Sequence, residues 1–480
     1  MAGPVKAKSD IKYYIHSAIA IAIMVFGRFI PVSYPFTPEG MMVAAILVGA
    51  IYGFINGNVF WPSILALLLI GTSEVTTVGA IFASLMSNGT LMFLTALFLL
   101  VGYLNHVGFA RVLALKIVQS KVTKGRPWVL TAFMLIAAIL PASVMSVTAV
   151  FVMSLTLLYA VCDEVGMERT DKWAVLTAIG IGCACSFALF LLPIQVVPIA
   201  LFGQMVAAGY EGVFPVAQFI LFTGAVVGVS ILGIVMVIKA LKPDVSKLYN
   251  YSPPEEKIKF NGEQKFAAFL VIALLSWFII PQFLPAGSAP RVFFAQFGPF
   301  AIVISILMIG AFVQVKGKAR IDMVEATKGL NLWPMIIMVG SVLVISDILN
   351  RPDLGFVAFV NENLGPMFNV GSPVVFTLIV MVIALVITTF VQGTLVFAIM
   401  CPLIIPIAVA NGFPVISMLA PFMVVANIGI IFPSSHPLGA VMHGHESIGP
   451  KPTVKYVAMF MAVSFTAALI IGIPLGMLLF

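Results

Sequence analysis

The chain has 480 residues, 61% of them hydrophobic and only 9% charged, with a mean hydropathy of +1.15. Soluble domains carry roughly 45–50% apolar and 25% charged residues, so a water-soluble fold is excluded and a polytopic all-α membrane protein is implied. The net charge of +7 calls for no nucleic-acid partner, because the basic residues fall in short stretches between apolar runs, where the cytoplasmic bias of Lys and Arg places them.

The first apolar run, residues 13–30, has no small-residue cleavage site and is followed by others, so it reads as a transmembrane helix and not a removable signal. Runs near the roughly 20 residues that cross a bilayer recur, for instance at 218–238, 297–312 and 456–480, for about eleven transmembrane helices in all. The stretch after Asn105 carries Arg111, Lys116, Lys121, Lys124 and Arg126 without an acidic residue, which assigns it to the cytoplasm. Counting outward places Lys6, Lys8, Lys12, residues 239–265, Lys316, Lys318, Arg320, Lys451 and Lys455 on that same side. Residues 350–366 then fall outside. The expected location is a bacterial inner membrane, with the N-terminus cytoplasmic and the C-terminus outside.

Landmarks recur in order. Leu104-Asn105 before Gly108-Phe109 is echoed by Leu349-Asn350 before Gly355-Phe356, the stretch 143–151 by 389–397, and the break at 193–198 by 433–437. The first pair lies on opposite sides of the membrane by the charge count, which is what inverted repeats require. The expected division is a first repeat over 1–241, a cytoplasmic linker over 242–265 containing Ser252-Pro253-Pro254, and a second repeat over 266–480.

Each repeat then holds two apolar arms joined at polar residues, 129–140 with 150–160 and 374–387 with 395–410. Neither first arm is long and uninterrupted enough for a comfortable crossing, so both pairs read as re-entrant hairpins. Irregular backbone at membrane depth persists only inside protein or beside a wet cavity, so the tips mark a site. Ser146, Val147 and Thr148 at one tip and Gln392, Gly393 and Thr394 at the other offer hydroxyls, an amide and a helix N-terminus to an anion. Each repeat also has a proline-broken span, at Pro193 and Pro198 in the first and at residues 432–439, with His436 and Pro437, in the second. Two tips facing two breaks define a midplane substrate site.

No other chemistry competes. Cys162, Cys183, Cys185 and Cys401 lack metal-ligand spacing, no Walker loop or zinc-binding His-Glu-x-x-His helix occurs, and His443, His445 and Glu446 form a poor zinc set on a glycine-containing loop. The chain is expected to be no enzyme and to hold no cofactor beyond a coupling ion. Asp347, a carboxylate inside an apolar run four residues before Arg351, is either an interfacial ion pair or, with His436, a proton relay.

Over residues 89–480 this pattern resembles the divalent anion:sodium symporter family of the ion transporter superfamily, whose hairpin tips carry Ser-Asn-Thr triplets. The matching residues here are Ser146-Val147-Thr148 and Gln392-Gly393-Thr394, so both asparagines are absent, and His436 stands where the family has a substrate-contacting threonine. The resemblance implies a homodimeric elevator-type carrier of a dicarboxylate or other small anion. It places sodium near Ser146 and Val147 in one half and Thr388, Gln392 and Ser435 in the other. An inorganic oxyanion or sulfonate as substrate, proton coupling, and a passive anion channel stay open alternatives.

Overall fold

A computed structural model of the chain describes residues 11–480 apart from 57–58, 145, 208–213, 254–258, 286, 316, 329–331, 364–370, 391 and 433–434. It describes every other side chain except those at 55, 90, 94, 110, 207, 278, 279, 282, 283, 295, 298–300, 332, 335, 361, 394 and 398. The described residues form twenty-two α-helices and one two-stranded ribbon. Four helices lead: α1 (Ile11–Phe26), α2 (Pro38–Ile55), α3 (Phe60–Gly71) and α4 (Val78–Ser87). A series follows, α5 (Gly89–His106), α6 (Phe109–Val118), α7 (Pro127–Ala142), α8 (Val147–Val165), α9 (Lys172–Leu191), α10 (Val196–Ala207) and α11 (Val216–Ala240).

The second half opens with α12 (Gly262–Ile279), α13 (Ala289–Phe312), the antiparallel ribbon β1 (Gln314–Val315) and β2 (Lys318–Ala319), and α14 (Met323–Thr327). It then repeats the series as α15 (Leu332–Leu349), α16 (Phe356–Asn363), α17 (Pro373–Phe390), α18 (Gly393–Ala410), α19 (Val415–Ala426), α20 (Pro437–Gly444) and α21 (Pro450–Ala467), which a π-helical turn joins to α22 (Ile473–Leu479). Corresponding helices of α5–α11 and α15–α21 start between 234 positions apart, 216 against 450, and 247 apart, 109 against 356.

Local chemistry sets the boundaries. Thr37 caps α2 by accepting the Gly40 N–H at 3.0 Å, with Pro38 at the first helical position. Asn88 caps α5 through Leu91 N–H at 3.0 Å. Asn261 and Gln264 close a reciprocal capping box on α12, at 2.8 and 3.0 Å. This box starts α12 inside the stretch read as linker, so residues 262–265 are its first turn. At the end of α8, Gly166 adopts φ +68° and Met167 N–H returns to Cys162 O at 2.8 Å, the geometry that terminates a helix.

The hairpin arms are longer than the apolar runs of the sequence suggest, and what defines each hairpin is that its two feet lie together. At 1.5 Å per residue, the 18 residues of α17 and 19 of α8 reach roughly 27–29 Å, enough to cross. Yet both feet of α7–α8 are held by one segment: Gly125 N–H donates to Tyr251 O at 3.1 Å, and Lys247 Nζ to Gly166 O at 2.6 Å. Leu248 and Tyr251 of that segment are buried beneath the hairpin, and burial pushes the Tyr251 phenol up to about 12. In the second hairpin Phe376 near the foot of α17 meets Phe413, just past α18, with centroids 5.7 Å apart.

Five described segments are long and apolar enough to cross a membrane unaided, 147–165, 172–206, 216–240, 373–390 and 450–479, and seven more apolar helices are shorter. Buried apolar side chains collect into two bodies. One joins α6–α11 to α16–α22; the other joins α1–α5 to α12–α15. Val144 and Leu395, one from each hairpin, and Ile199 of α10 pack into the second body and so lie on the seam between the two. Within the second body Glu263 accepts from Tyr103 OH and Arg320 Nε, both at 3.2 Å, tying α5, α12 and the ribbon together.

Two arm helices, α6 and α16, connect the bodies, and each is entered through a left-handed glycine, Gly108 and Gly355, both at φ +66°. Each arm's first phenylalanine meets an aromatic ring from the other half: Phe109 stacks on Phe260 at 5.8 Å, and Phe356 lies 5.8 Å from Phe36. The two glycines differ in their surroundings. A Cβ on Gly355 would lie 1.7 Å from Pro35 O, whereas one on Gly108 would meet nothing within 4 Å. Both alanine variants carry the left-handed penalty of about 1 kcal/mol, and Gly355→Ala adds a backbone collision. Thermal unfolding in detergent is therefore expected to rank wild type above Gly108→Ala and Gly108→Ala well above Gly355→Ala; equal melting points would show that the Pro35 loop yields freely.

Candidate substrate site at two hairpin tips and two helix breaks

The tips fall where apolar periodicity gives way to polar residues. Helix α7 ends after Pro141-Ala142, Ser143 Oγ donates back to Leu140 O at 2.8 Å, and α8 starts from Ser146, whose Oγ accepts Ala149 N–H at 3.5 Å. Ser146 is exposed, Val147 buried and Thr148 half-buried. The second tip runs from Phe390 to Gln392, which stands at the cap position of α18 without a side-chain cap bond, followed by the buried Gly393. Val391, the side chain of Thr394, Pro433 and Ser434 were also expected here and lie outside the described residues.

The first break covers residues 192–195, between α9 and α10. Pro198, read from sequence as part of the break, sits in the first turn of α10 instead, where a missing N–H leaves no hydrogen bond unmade. The carbonyl of Leu191 at the end of α9 is satisfied by Thr223 Oγ1 of α11 at 2.8 Å. The second break is longer, from Asn427 to His436. His436 is buried and caps α20: its Nδ1 accepts Leu438 N–H at 3.1 Å, so the neutral ring carries its proton on Nε2. Pro437 is the first residue of α20 and is exposed.

Each tip is fastened to the break of its own repeat. In the first, the Gln195 side-chain amide donates to Ser143 O. In the second, Thr388 Oγ1 donates to Ala426 O at 2.6 Å, Phe390 stacks on Phe432 at 5.5 Å, and glycines permit the backbones to meet. A Cβ on Gly429 would lie 2.2 Å from Thr388 O, and one on Gly393 2.4 Å from Ala426 O. Thr388 and Ser435 are buried, and Ser435 Oγ is spent on Phe432 O at 2.7 Å.

The repeats then interlock crosswise. α10, which follows the first break, packs on α18, which follows the second tip; α20, which follows the second break, packs on α8, which follows the first tip. Met442 of α20 fits against Gly182 of α9 beside Phe151 of α8. Each hairpin thus meets the broken span of its own repeat at its tip and the broken span of the other repeat along its second arm. Across the tips and breaks, residues 142–148, 192–195, 388–394 and 427–436, the sequence has no Lys, Arg, Asp or Glu. Helix-terminal N–H groups and neutral side chains are what such a site offers an anion. Two small cavities adjoin it, about 20 Å³ between α10, α15 and α18 and about 10 Å³ between α5, α12 and the first tip, each room for about one water.

Asp347 does not join this set. It is exposed on α15, in the other apolar body, while Ile345, Ser346 and Ile348 turn inward. Nor does Arg351 close on it. The guanidinium turns to Asp353 at 2.6 and 3.1 Å, holding that carboxyl below its usual range, and to Val75 O at 3.2 Å. Sequence reading missed Gln195, whose partner Ser143 lies 52 residues away, and Asn427, whose amide donates to Met423 O at 2.8 Å while its Oδ1 lies against Gly393.

The model of the citrate transporter family (CitMHS) matches residues 54–351, more than half of the chain. The chain belongs to the citrate transporter family. The matched stretch takes in the first hairpin and the first break and ends beside Arg351. No curated protein sequence gives a significant match. Among solved structures, the crystal structure of the YdaH transporter of Alcanivorax borkumensis, described as having an unusual topology, is similar over 97% of each chain with a TM-score of 0.60 at 13% identity. That likeness is one of fold. Family and fold are those of a multi-pass membrane transporter and not of an enzyme.

The tightest contact in the site gives a test. Gly429→Ala forces a methyl group onto the Thr388 carbonyl and is expected to cost about 1–3 kcal/mol by overpacking, read as a lowered melting point. Gly444→Ala, in a position with nothing within 4 Å, serves as control and should melt like wild type.

Proposed function

We propose that the protein is a secondary active transporter of a small carboxylate anion, of citrate or dicarboxylate type, in the inner membrane. The observation that carries this reading is that each hairpin tip is fastened to the helix break of its own repeat, by Gln195 with Ser143 and by Thr388 with Ala426, in stretches without a charged side chain. Ser146, Val147, Thr148, Gln392, Gly393, Thr394, His436 and Pro437 form the substrate site. A multivalent carboxylate held with no cationic side chain needs its charge balanced, which favours a co-transported cation, sodium or proton. Neutral oxygens near Ser146, Val147, Thr388, Gln392 and Ser435 suit sodium, although the hydroxyls of Thr388 and Ser435 are already donating to carbonyls. His436 is the proton alternative, since binding a proton at Nδ1 would release the cap of α20.

The body containing both hairpins moves against the body of α1–α5 and α12–α15, with α6 and α16 as connecting arms, in an elevator-type cycle. The resemblance to divalent anion:sodium symporters supports this scheme and a homodimer. The cytoplasmic N-terminus and external C-terminus follow from the distribution of Lys and Arg.

Thermal stabilisation of the purified protein by citrate, succinate, sulfate and a sulfonate, each with and without sodium and at two pH values, tests the reading. A ligand at 100 times its dissociation constant adds about 2.7 kcal/mol to the folded state. Citrate or succinate is expected to raise the melting point, and more so with the coupling cation. Thr148→Ala is expected to raise the concentration needed about tenfold without lowering the unliganded melting point. Stabilisation by sulfate or the sulfonate alone would replace the carboxylate reading, and uptake into proteoliposomes that rises linearly with gradient would replace the carrier by a channel.

A further inference from the structure

The polar groups of the first tip are mostly committed locally: Ser143 Oγ to Leu140 O, and Ser146 Oγ to the start of its own helix. What joins this tip to the rest of the site is a side chain from elsewhere, Gln195, 52 residues on. Its own backbone is fixed on both sides, its N–H donating to Leu192 O at 3.1 Å and its carbonyl accepting Ile199 N–H at 3.2 Å. The side chain therefore springs from a rigid helix start.

The contact faces the small cavity beside Leu97, Leu104 and Leu274 of the other apolar body. In so apolar a setting a carbonyl deprived of its donor is costly and seeks a new partner. The second tip has no such dependence. Its hydroxyl contact from Thr388 is backed by the glycine contacts and by the Phe390–Phe432 stack.

We propose that Gln195 is a positioning residue for transport, whose amide N–H holds the tip at Ser143 so that Ser146 and Thr148 are presented to the anion. Gln195 is the positional counterpart of His436, since each immediately precedes the second helix of a broken span. The two act differently. His436 caps its own helix, whereas Gln195 reaches across to the hairpin. The proposal rests on the substrate-site reading above and adds the group that orients one of its walls.

The test uses Gln195→Met, which keeps the length of the side chain and removes the donor. It is combined with Ser146→Cys as a reporter, because Ser146 is exposed and all four native cysteines are buried, so a maleimide reads the tip alone. In the full-length protein in lipid vesicles, Ser146→Cys is expected to label at least threefold faster in the Gln195→Met background without any ligand, because the tip swings away. With Ser146 intact, Gln195→Met is expected to raise the half-saturating citrate concentration for uptake at least threefold, with little change in maximal rate or in unliganded melting point.

Unchanged labelling and unchanged half-saturation would overturn the positioning role while a tenfold effect of Thr148→Ala left the site itself standing. If citrate binds neither parent nor variant, the substrate reading fails, and the ligand-free labelling rate still decides the role of Gln195. Gln195→Leu repeats the comparison if Gln195→Met does not fold. Collapse of both variants would make the amide a folding contact and would also overturn the proposal.

Discussion

The fold depends on one constraint: inside a bilayer, a helix that stops must find partners for the backbone groups it leaves bare. This chain stops helices in its two hairpins and two broken spans, and at the first tip and both breaks a side-chain partner is identifiable among the described residues. Thr223 serves the carbonyl of Leu191, Gln195 that of Ser143, Thr388 that of Ala426, and the ring of His436 the N–H of Leu438. The interruptions are therefore built features, and their positions determine where polar chemistry can exist in an otherwise apolar molecule.

From that constraint follows the division of labour between the two apolar bodies. All four interruptions belong to helices of one body, and what faces the other body is chiefly leucine, isoleucine and valine, with Val144 and Leu395 as the hairpins' own contributions. A seam of this kind offers little directional bonding. The polar ties in the structure run within a body, as at Glu263 with Tyr103 and Arg320, or within a repeat, as at Gln195 with Ser143.

Much of this was legible in the sequence, because the signals are coarse and physical. The tips show as polar and glycine residues cutting apolar runs, and the observed ends at Ala142 and Gly393 lie within a few residues of those expected. The second break was visible as Pro433 to Pro437, and the repeat as an ordered set of landmarks whose spacing the helix starts share. Pro198 was misread because proline in a first helical turn looks the same in sequence as proline that breaks a helix. That Arg351 turns to Asp353 and not to Asp347 is not decided by sequence, where both carboxylates lie within four residues of it. Gln195 escaped notice since one amide among prolines and valines carries no pattern. The close approaches at Gly393 and Gly429 depend on which backbone lies opposite, and no local pattern records that.

The unequal settings of Gly108 and Gly355 bear on how such a molecule changes over generations. Two copies of one helical plan have kept the same order of elements, yet a carbonyl from the loop before α2 crowds one arm's entry glycine and leaves the other in open space. Matching positions in the halves are thus filtered by different neighbours, so substitutions acceptable in one copy are rejected in the other. Duplicated segments under such unlike filters drift apart in residue identity while their geometry is held. The kinship of the two halves is therefore kept in the lengths and turns of the helices, and comparing residue with residue understates it.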